Sequence, residues 1–227
     1  MSEGIREPQM GFGNPLFAQR VSARPFIKWA GGKGQLLSQY APHFPPLNQI
    51  QRYFEPFLGG GAVFFHLQAP SSCLSDVNMA LIDTYIAVKT QVEELIESLG
   101  GYVNTEDCYY GVRAEDPRSL SPVKRAARFS YLNRTCYNGL YRVNSKGQFN
   151  VPFGRYKNPR ICDKEGLRAA SQALQTACLE AVDFEEKLQD AMAGDFVYLD
   201  PPNLTWRRNA SFTSYTAHGF GGEEQQR

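Results

Sequence analysis

The stretch that most constrains this chain is Asp195-Phe196-Val197-Tyr198-Leu199-Asp200-Pro201-Pro202-Asn203. Phe196 to Leu199 is an apolar run of good strand formers, long enough for one buried strand. The run must stop at Asp200. Pro201 and Pro202 have no N–H for a ladder, and Pro201 drives Asp200 out of the helical region. A carboxylate is therefore held at the carboxyl edge of a strand, the edge where open α/β sheets bind their ligands. The paired prolines stiffen the loop, so the Asp200 carboxylate and the Pro201 carbonyl can face one way as fixed acceptors. Two such acceptors suit an exocyclic NH2 group. The plainer alternative is a strand that ends in a Pro-Pro turn.

The remainder of the chain alternates strand-like and helix-like segments. Phe26-Ile27-Lys28-Trp29 runs into Gly31-Gly32-Lys33-Gly34. A P-loop would need glycine where Ile27 stands and Ser or Thr where Gly34 stands, so a nucleotide hydrolase is set aside. Tyr53-Phe54-Glu55-Pro56-Phe57 is strand-like and opens into Leu58-Gly59-Gly60-Gly61-Ala62, with a helix expected over residues 63–68. Strand, glycine turn and helix make the layout of a nucleotide site, although Phe64 occupies the place of the third glycine. Cys73-Leu74-Ser75-Asp76 reads as the next strand, ending in an acid 21 residues after Glu55. A carboxylate at about that distance meets ribose hydroxyls; Asp76 also suits a helix N-cap, and both roles can hold. Residues 78–99 predict one helix, with Leu81, Ile82, Tyr85, Val88, Val92, Leu95, Ile96 and Leu99 at core spacing and Gly100-Gly101 ending it.

From Tyr102 to Arg160 the pattern changes to a basic helix over residues 123–132, then loops and a hairpin across residues 141–153 that turns near Lys146-Gly147. A helix at 167–174, a strand at 178–182 and a helix at 184–192 lead to the strand 196–199. The alternation predicts an α/β fold with a largely parallel sheet. Residues 1–24 read as a mobile leader, 25–101 together with 161–227 as one catalytic domain, and 102–160 as an insertion with its own task.

Charge separates that insertion from the rest. Between Tyr109 and Arg160 there are 11 bases and 2 acids, a net +9, while the remainder carries 13 bases and 21 acids, a net −8. Such an excess, interleaved with Tyr131, Tyr137, Tyr141, Phe149, Phe153 and Tyr156, points to a polyanionic partner rather than a merely solvated face. The 5 cysteines are odd in number and scattered, with no C-x-x-C. That pattern points to a reducing cytoplasm, without a disulfide framework or a zinc site. No run has the length of a membrane span, and the first residues lack the apolar core of a signal peptide.

The ordered motifs Phe26–Lys33, Phe54–Gly61, Ser75-Asp76-Val77-Asn78 and Asp200-Pro201-Pro202 resemble those of the DNA adenine methylase (Dam) family, the D12 class of N6-adenine DNA methyltransferases. The segments Asn133-Arg134-Thr135-Cys136-Tyr137-Asn138-Gly139-Leu140-Tyr141-Arg142 and Phe149-Asn150-Val151-Pro152-Phe153-Gly154 strengthen the resemblance, which covers residues 25–220. It implies a Rossmann-like methyltransferase sheet with a mostly helical DNA-recognition insertion, S-adenosylmethionine as cofactor, double-stranded DNA as partner and a monomer.

Carried over by position, Trp29 and Lys33 fall in the cofactor motif, Glu55 with Gly59 and Gly61 lines the methionine end, and Asp76 holds the ribose. Asp183 and Phe184 match the motif beside the cofactor adenine. Asp200, which also counts among the cofactor contacts, and Pro201, with Pro202 and Asn203 completing the motif, would hold the target adenine's amino group beside the methyl donor. The adenine would have to be flipped out of the duplex. In the insertion, Tyr137 and Asn138 match residues that enter or contact the duplex. Leu140, Arg142 and Pro152 match readers of a GATC-type site. Arg142 is the expected guanine contact, and Arg134 and Lys157 the expected phosphate contacts.

Cytosine C5 methylation would need a Pro-Cys pair, and zinc deamination H-x-E with P-C-x-x-C; the sequence has neither. The chain departs from the family at Asn203, where an aromatic, usually Tyr, stacks on the flipped base. Such stacking is worth roughly 1–3 kcal/mol. Residues 204–209 also look foreign, with Trp206 a candidate substitute face. The sequence stops at Arg227, before the closing strands of a methyltransferase sheet, so a weakly active or inactive product is expected.

Overall fold

The computed structural model describes residues 22–202. Most of the leader, Asn203, the foreign segment with Trp206 and the rest of the C-terminal stretch lie outside the described residues. In chain order come α1 (Leu37–Tyr40), β1 (Tyr53–Glu55), α2 (Ala62–Leu67), β2 (Ser72–Ser75), α3 (Met79–Thr90), α4 (Val92–Gly100), α5 (Glu106–Ala114), α6 (Pro122–Thr135), α7 (Lys164–Leu174), β3 (Ala177–Glu180), α8 (Phe184–Leu188) and β4 (Phe196–Val197). The strands form one sheet in the order β3-β2-β1-β4. Every pairing is parallel, with Phe54 opposite Cys73 and Val197, and Cys73 opposite Cys178. All carboxyl ends therefore share one edge, which carries Glu55, Asp76 and the chain leading to Asp200. This is the parallel α/β sheet that the alternation predicts.

β1 is wholly buried, as a central parallel strand must be. β4 is shorter than the expected 196–199. Its ladder nonetheless runs one step further, with the Tyr198 N–H donating to the Phe54 carbonyl at 2.9 Å, before Leu199 emerges 51% exposed. β3 sits within 177–180 instead of reaching 182, and α8 stops at Leu188 rather than Met192.

The single helix expected over 78–99 is two. Gln91, at φ −142° and ψ 43°, ends α3 and begins α4. Thr90 precedes the break and returns its hydroxyl to the Ile86 carbonyl at 2.8 Å, a bond that competes with helix continuation. Glu93 and Glu94 then favour a fresh N-terminus. The α3 N-cap is Asn78, whose side chain accepts from the Leu81 N–H at 3.1 Å; Asp76 is not the cap.

The helix α5 is absent from the sequence reading. Thr105 caps it, and Tyr109 and Val112 are its buried residues. The expected hairpin is realised as a lone antiparallel bridge, Val143 to Phe149, about a turn in which Gly147 takes φ +74°. A second bridge joins Cys136 to Phe153. The helix α6 packs along α3 and α4, and α7 against the same pair. Tyr109, Ala126, Tyr131 and Val151 thus share one apolar core with Tyr85 and Leu95.

Candidate active site

Two glycine-bearing loops meet above the shared strand edge. The first follows Phe26 and Ile27, both buried. Its backbone is fixed by Asn133 of α6, whose Oδ1 accepts from the Lys28 N–H at 2.9 Å and whose Nδ2 donates to the Lys28 carbonyl at 2.7 Å. One amide side chain therefore does what a neighbouring strand would do. Next to it, Arg134 donates to the Phe26 carbonyl at 2.7 Å. Arg134, expected on DNA phosphate, is turned inward to serve the fold. Burial lowers the affinity of its guanidinium for a proton, which marks how far it has left water.

The second loop follows β1. Gly59 and Gly61 take φ +47° and +66°, and a Cβ on Gly59 would stand 2.6 Å from the Trp29 ring. Only glycine can hold this turn against that indole. The Tyr85 hydroxyl donates to the Gly59 carbonyl at 3.1 Å, and the Gly59 N–H donates to Asp76 at 3.0 Å. Asp76 also accepts from the Asn78 N–H at 2.9 Å. Burial pushes its carboxyl up to about 6, against the pull of those two N–H groups. Glu55 lies deeper. It accepts from the Tyr53 hydroxyl at 2.7 Å and the Phe64 N–H at 3.0 Å, tying β1 to α2. Burial first, and Asp200 nearby, push its carboxyl up to about 8, with both hydrogen bonds opposing. Glu55 thus braces the turn from beneath.

Asp200 stands past the end of β4. Lys33, from the first loop, reaches both of its oxygens at 2.6 and 2.7 Å and the Gly31 carbonyl at 2.8 Å. The same loop therefore lays Trp29 on the glycine turn and Lys33 on Asp200, so Asp200, Gly59 and Asp76 are joined through one short segment. Trp29, Gly31, Gly32, Gly60 and Ala62 line a cleft of ≈ 440 Å³. Farther along the edge, Phe57 stacks on Phe184 with centroids 5.3 Å apart, and Asp183 caps α8 by accepting from the Glu185 N–H.

On the insertion side, the Tyr137 N–H donates to the Pro152 carbonyl at 2.9 Å, which brings two expected duplex contacts together. Tyr137 is 53% exposed, and Asn138 beside it takes φ +53°. Arg142 is oriented by Asn150, whose Oδ1 accepts from its Nε at 2.7 Å. Leu140 is half-buried against the core. Asn133 and Lys28 have no role legible in the sequence alone, and Tyr141 stands there only among the aromatics of the basic segment. Lys28 lays its stem where Gly139 has no side chain and its ammonium 4.4 Å from the Tyr156 ring centre. Tyr141 stacks on Trp29 with centroids 5.8 Å apart, which links the basic segment to the glycine turn. The signal was present, since all three stand inside the motifs, but nothing in their spacing says what they touch.

A family model, D12 class N6 adenine-specific DNA methyltransferase, matches residues 29–227. A type II methyltransferase of Lactococcus lactis subsp. cremoris, M1.LlaDCHI, is 44% identical over 94% of this chain and 78% of its own length. M.MjaIII, a type II methyltransferase of Methanocaldococcus jannaschii, is 42% identical over 91% of this chain and 78% of its own. The DNA adenine methylase of Escherichia coli K12 is 37% identical over 89% of this chain and 73% of its own.

Proposed function

Because the chain belongs to the D12 class of N6 adenine-specific DNA methyltransferases, we propose that its methyl donor is S-adenosylmethionine and its target an adenine flipped out of a GATC-type site. The protein then acts as an adenine-specific DNA methyltransferase in which residues 102–160 find the site and the strand edge performs the chemistry. The observation that carries the reading is the convergence of Asp200, the Gly59 turn and Asp76 through the loop that holds Trp29 and Lys33.

These residues fit the cofactor. The glycine turn has no side chain to fill the space beside Trp29, Asp76 keeps lone pairs for ribose hydroxyls, and Phe57 with Phe184 offers apolar faces for a purine. When bound, the cofactor supplies an activated methyl group on a sulfonium. The protein's part is to position the amine. Asp200 and the Pro201 carbonyl accept the two N6 hydrogens of adenine, which leaves the nitrogen lone pair aimed away from both acceptors. Rate then comes from orientation, since a misplacement of about 1 Å can cost about a hundredfold. Arg142, held by Asn150, presents its guanidinium to guanine O6 and N7. Tyr137 and Asn138 stand on the exposed turn that enters the duplex, and Leu140 and Pro152 flank it.

Asn203 favours a second reading, an enzyme of this lineage slowed by the lack of an aromatic against the flipped base. Tritiated S-adenosylmethionine with GATC and scrambled duplexes tests both. Transfer to GATC alone, lost about a hundredfold or more in Asp200→Asn, supports the first. Faint transfer raised by Asn203→Tyr supports the second. Binding of duplex and cofactor without transfer in either form marks a remnant of the lineage without turnover, and equal transfer to both duplexes defeats the assignment of this site.

A further inference from the structure

We propose that Lys33 is an exchangeable cation, holding Asp200 until the carboxylate of a bound cofactor draws it away. Asp200 then becomes free for the adenine amine only in the loaded enzyme. The inference rests on the reading of Asp200 as the amine acceptor and of an amino-acid-bearing cofactor. It starts from an occupied acceptor, because the Lys33 ammonium sits 2.6 and 2.7 Å from the two Asp200 oxygens. An amine that needs Asp200 meets a group already bonded on both oxygens and neutralised by a cation.

The pair is built to open. Its side chains are 24% and 29% exposed, and ion pairs that keep contact with water are weak enough to exchange. The lysine's third bond goes to the Gly31 carbonyl of its own loop, and a Cβ at Gly31 or Gly34 would meet nothing within 4 Å, so this segment has room to move.

Charge matching names the exchange partner. Glu55 and Asp76 are held by neutral donors, namely a hydroxyl and backbone N–H groups. Arg52 is committed to Asp195 at 2.7 Å, and the Lys28 ammonium faces Tyr156. Among the described residues around the turn, Lys33 is the cation that faces the site. An amino-acid tail entering beside Asp76 and Asp200 brings a further carboxylate, and Lys33, already in contact with Asp200, is the group placed to receive it.

A GATC duplex carrying 2-aminopurine at the target adenine reports capture of the flipped base by its fluorescence. S-adenosylhomocysteine, which has the carboxylate, is expected to tighten capture by wild-type protein about tenfold or more, the scale of one charge-assisted bond. 5′-Methylthioadenosine at saturation, the same thioether nucleoside without the amino-acid tail, is expected to leave capture unchanged. Lys33→Met should capture the base without ligand, and Lys33→Arg should keep the dependence. Equal help from the two nucleosides overturns the proposal, as does a folded Lys33→Met that still needs S-adenosylhomocysteine. If Lys33→Met does not fold, the two-nucleoside comparison on wild type decides alone. Absence of capture under every ligand, together with absence of methyl transfer, brings down the reading of Asp200 itself and the proposal with it.

Discussion

Glu55 is the residue whose environment departs furthest from what its sequence position suggests. As the last residue of a strand before a glycine turn it resembles a ligand contact, and the strand edge was indeed legible from Phe54 to Gly61. Its carboxyl is instead buried at 3% exposure between Tyr53 and Phe64, and spacing alone cannot disclose such packing. The consequence is a pH-dependent stability with a defined sign. The folded carboxyl holds its proton up to about 8, whereas the unfolded one ionises near 4.5. Between those values the unfolded state binds fewer protons, so stability is full at the acid end and falls as pH rises. Asp76 acts in the same direction but only up to about 6, so the upper part of the window belongs to Glu55. Denaturant unfolding at pH 6 and pH 8 should therefore give a loss on the order of a few kcal/mol toward pH 8. Glu55→Gln, which keeps the shape and cannot ionise, should flatten that loss.

At the scale of elements, strands and amphipathic helices were legible because burial leaves a periodic trace, as in α7 and in the alternation of β1, α2 and β2. Three features left none. The α3–α4 break depends on one hydroxyl and one backbone angle at Thr90 and Gln91. The helix α5 is one short segment capped by Thr105 with Tyr109 and Val112 as its buried residues, too few for a period to show. The third is the clamp between α6 and the Lys28 segment, a long-range contact made by one buried amide. That clamp is what joins the basic segment to the loop carrying Trp29 and Lys33. Asn133→Ala should leave the half-buried Lys28 N–H and carbonyl without this partner, at a cost of up to about 1–3 kcal/mol for each group. Chemical denaturation measures the loss. Asn133→Asp keeps one acceptor but replaces the donor, and should recover only part of it.

Across the whole molecule, the basic excess of residues 109–160 divides into two populations that composition cannot separate. Arg128 is buried and donates to the Val112 and Arg113 carbonyls, closing the end of α5, and Arg134 is bound to Phe26. These charges serve the core that α5 and α6 share with α3 and α4. Lys124, Lys146 and Lys157 remain exposed, and the exposed Arg155 and Arg160 meet Glu106 at 3.4 Å and Asp163 at 3.1 Å. The charge count overstates the basic surface of this segment, because burial and helix closure consume arginines that a count assigns to the surface. A duplex bound by this face releases counterions in proportion to the exposed bases it neutralises. Lys146→Ala combined with Lys157→Ala should therefore lower the slope of log K against log salt by about 2 and weaken GATC and scrambled duplexes alike. Arg142→Ala should instead cost about 1–3 kcal/mol on GATC alone and relax the preference for guanine. Arg128→Ala should do neither, because the loss appears first as unfolding once the α5 carbonyls are left open. Binding titrations at several salt concentrations, run beside melting curves of the same variants, separate the three outcomes.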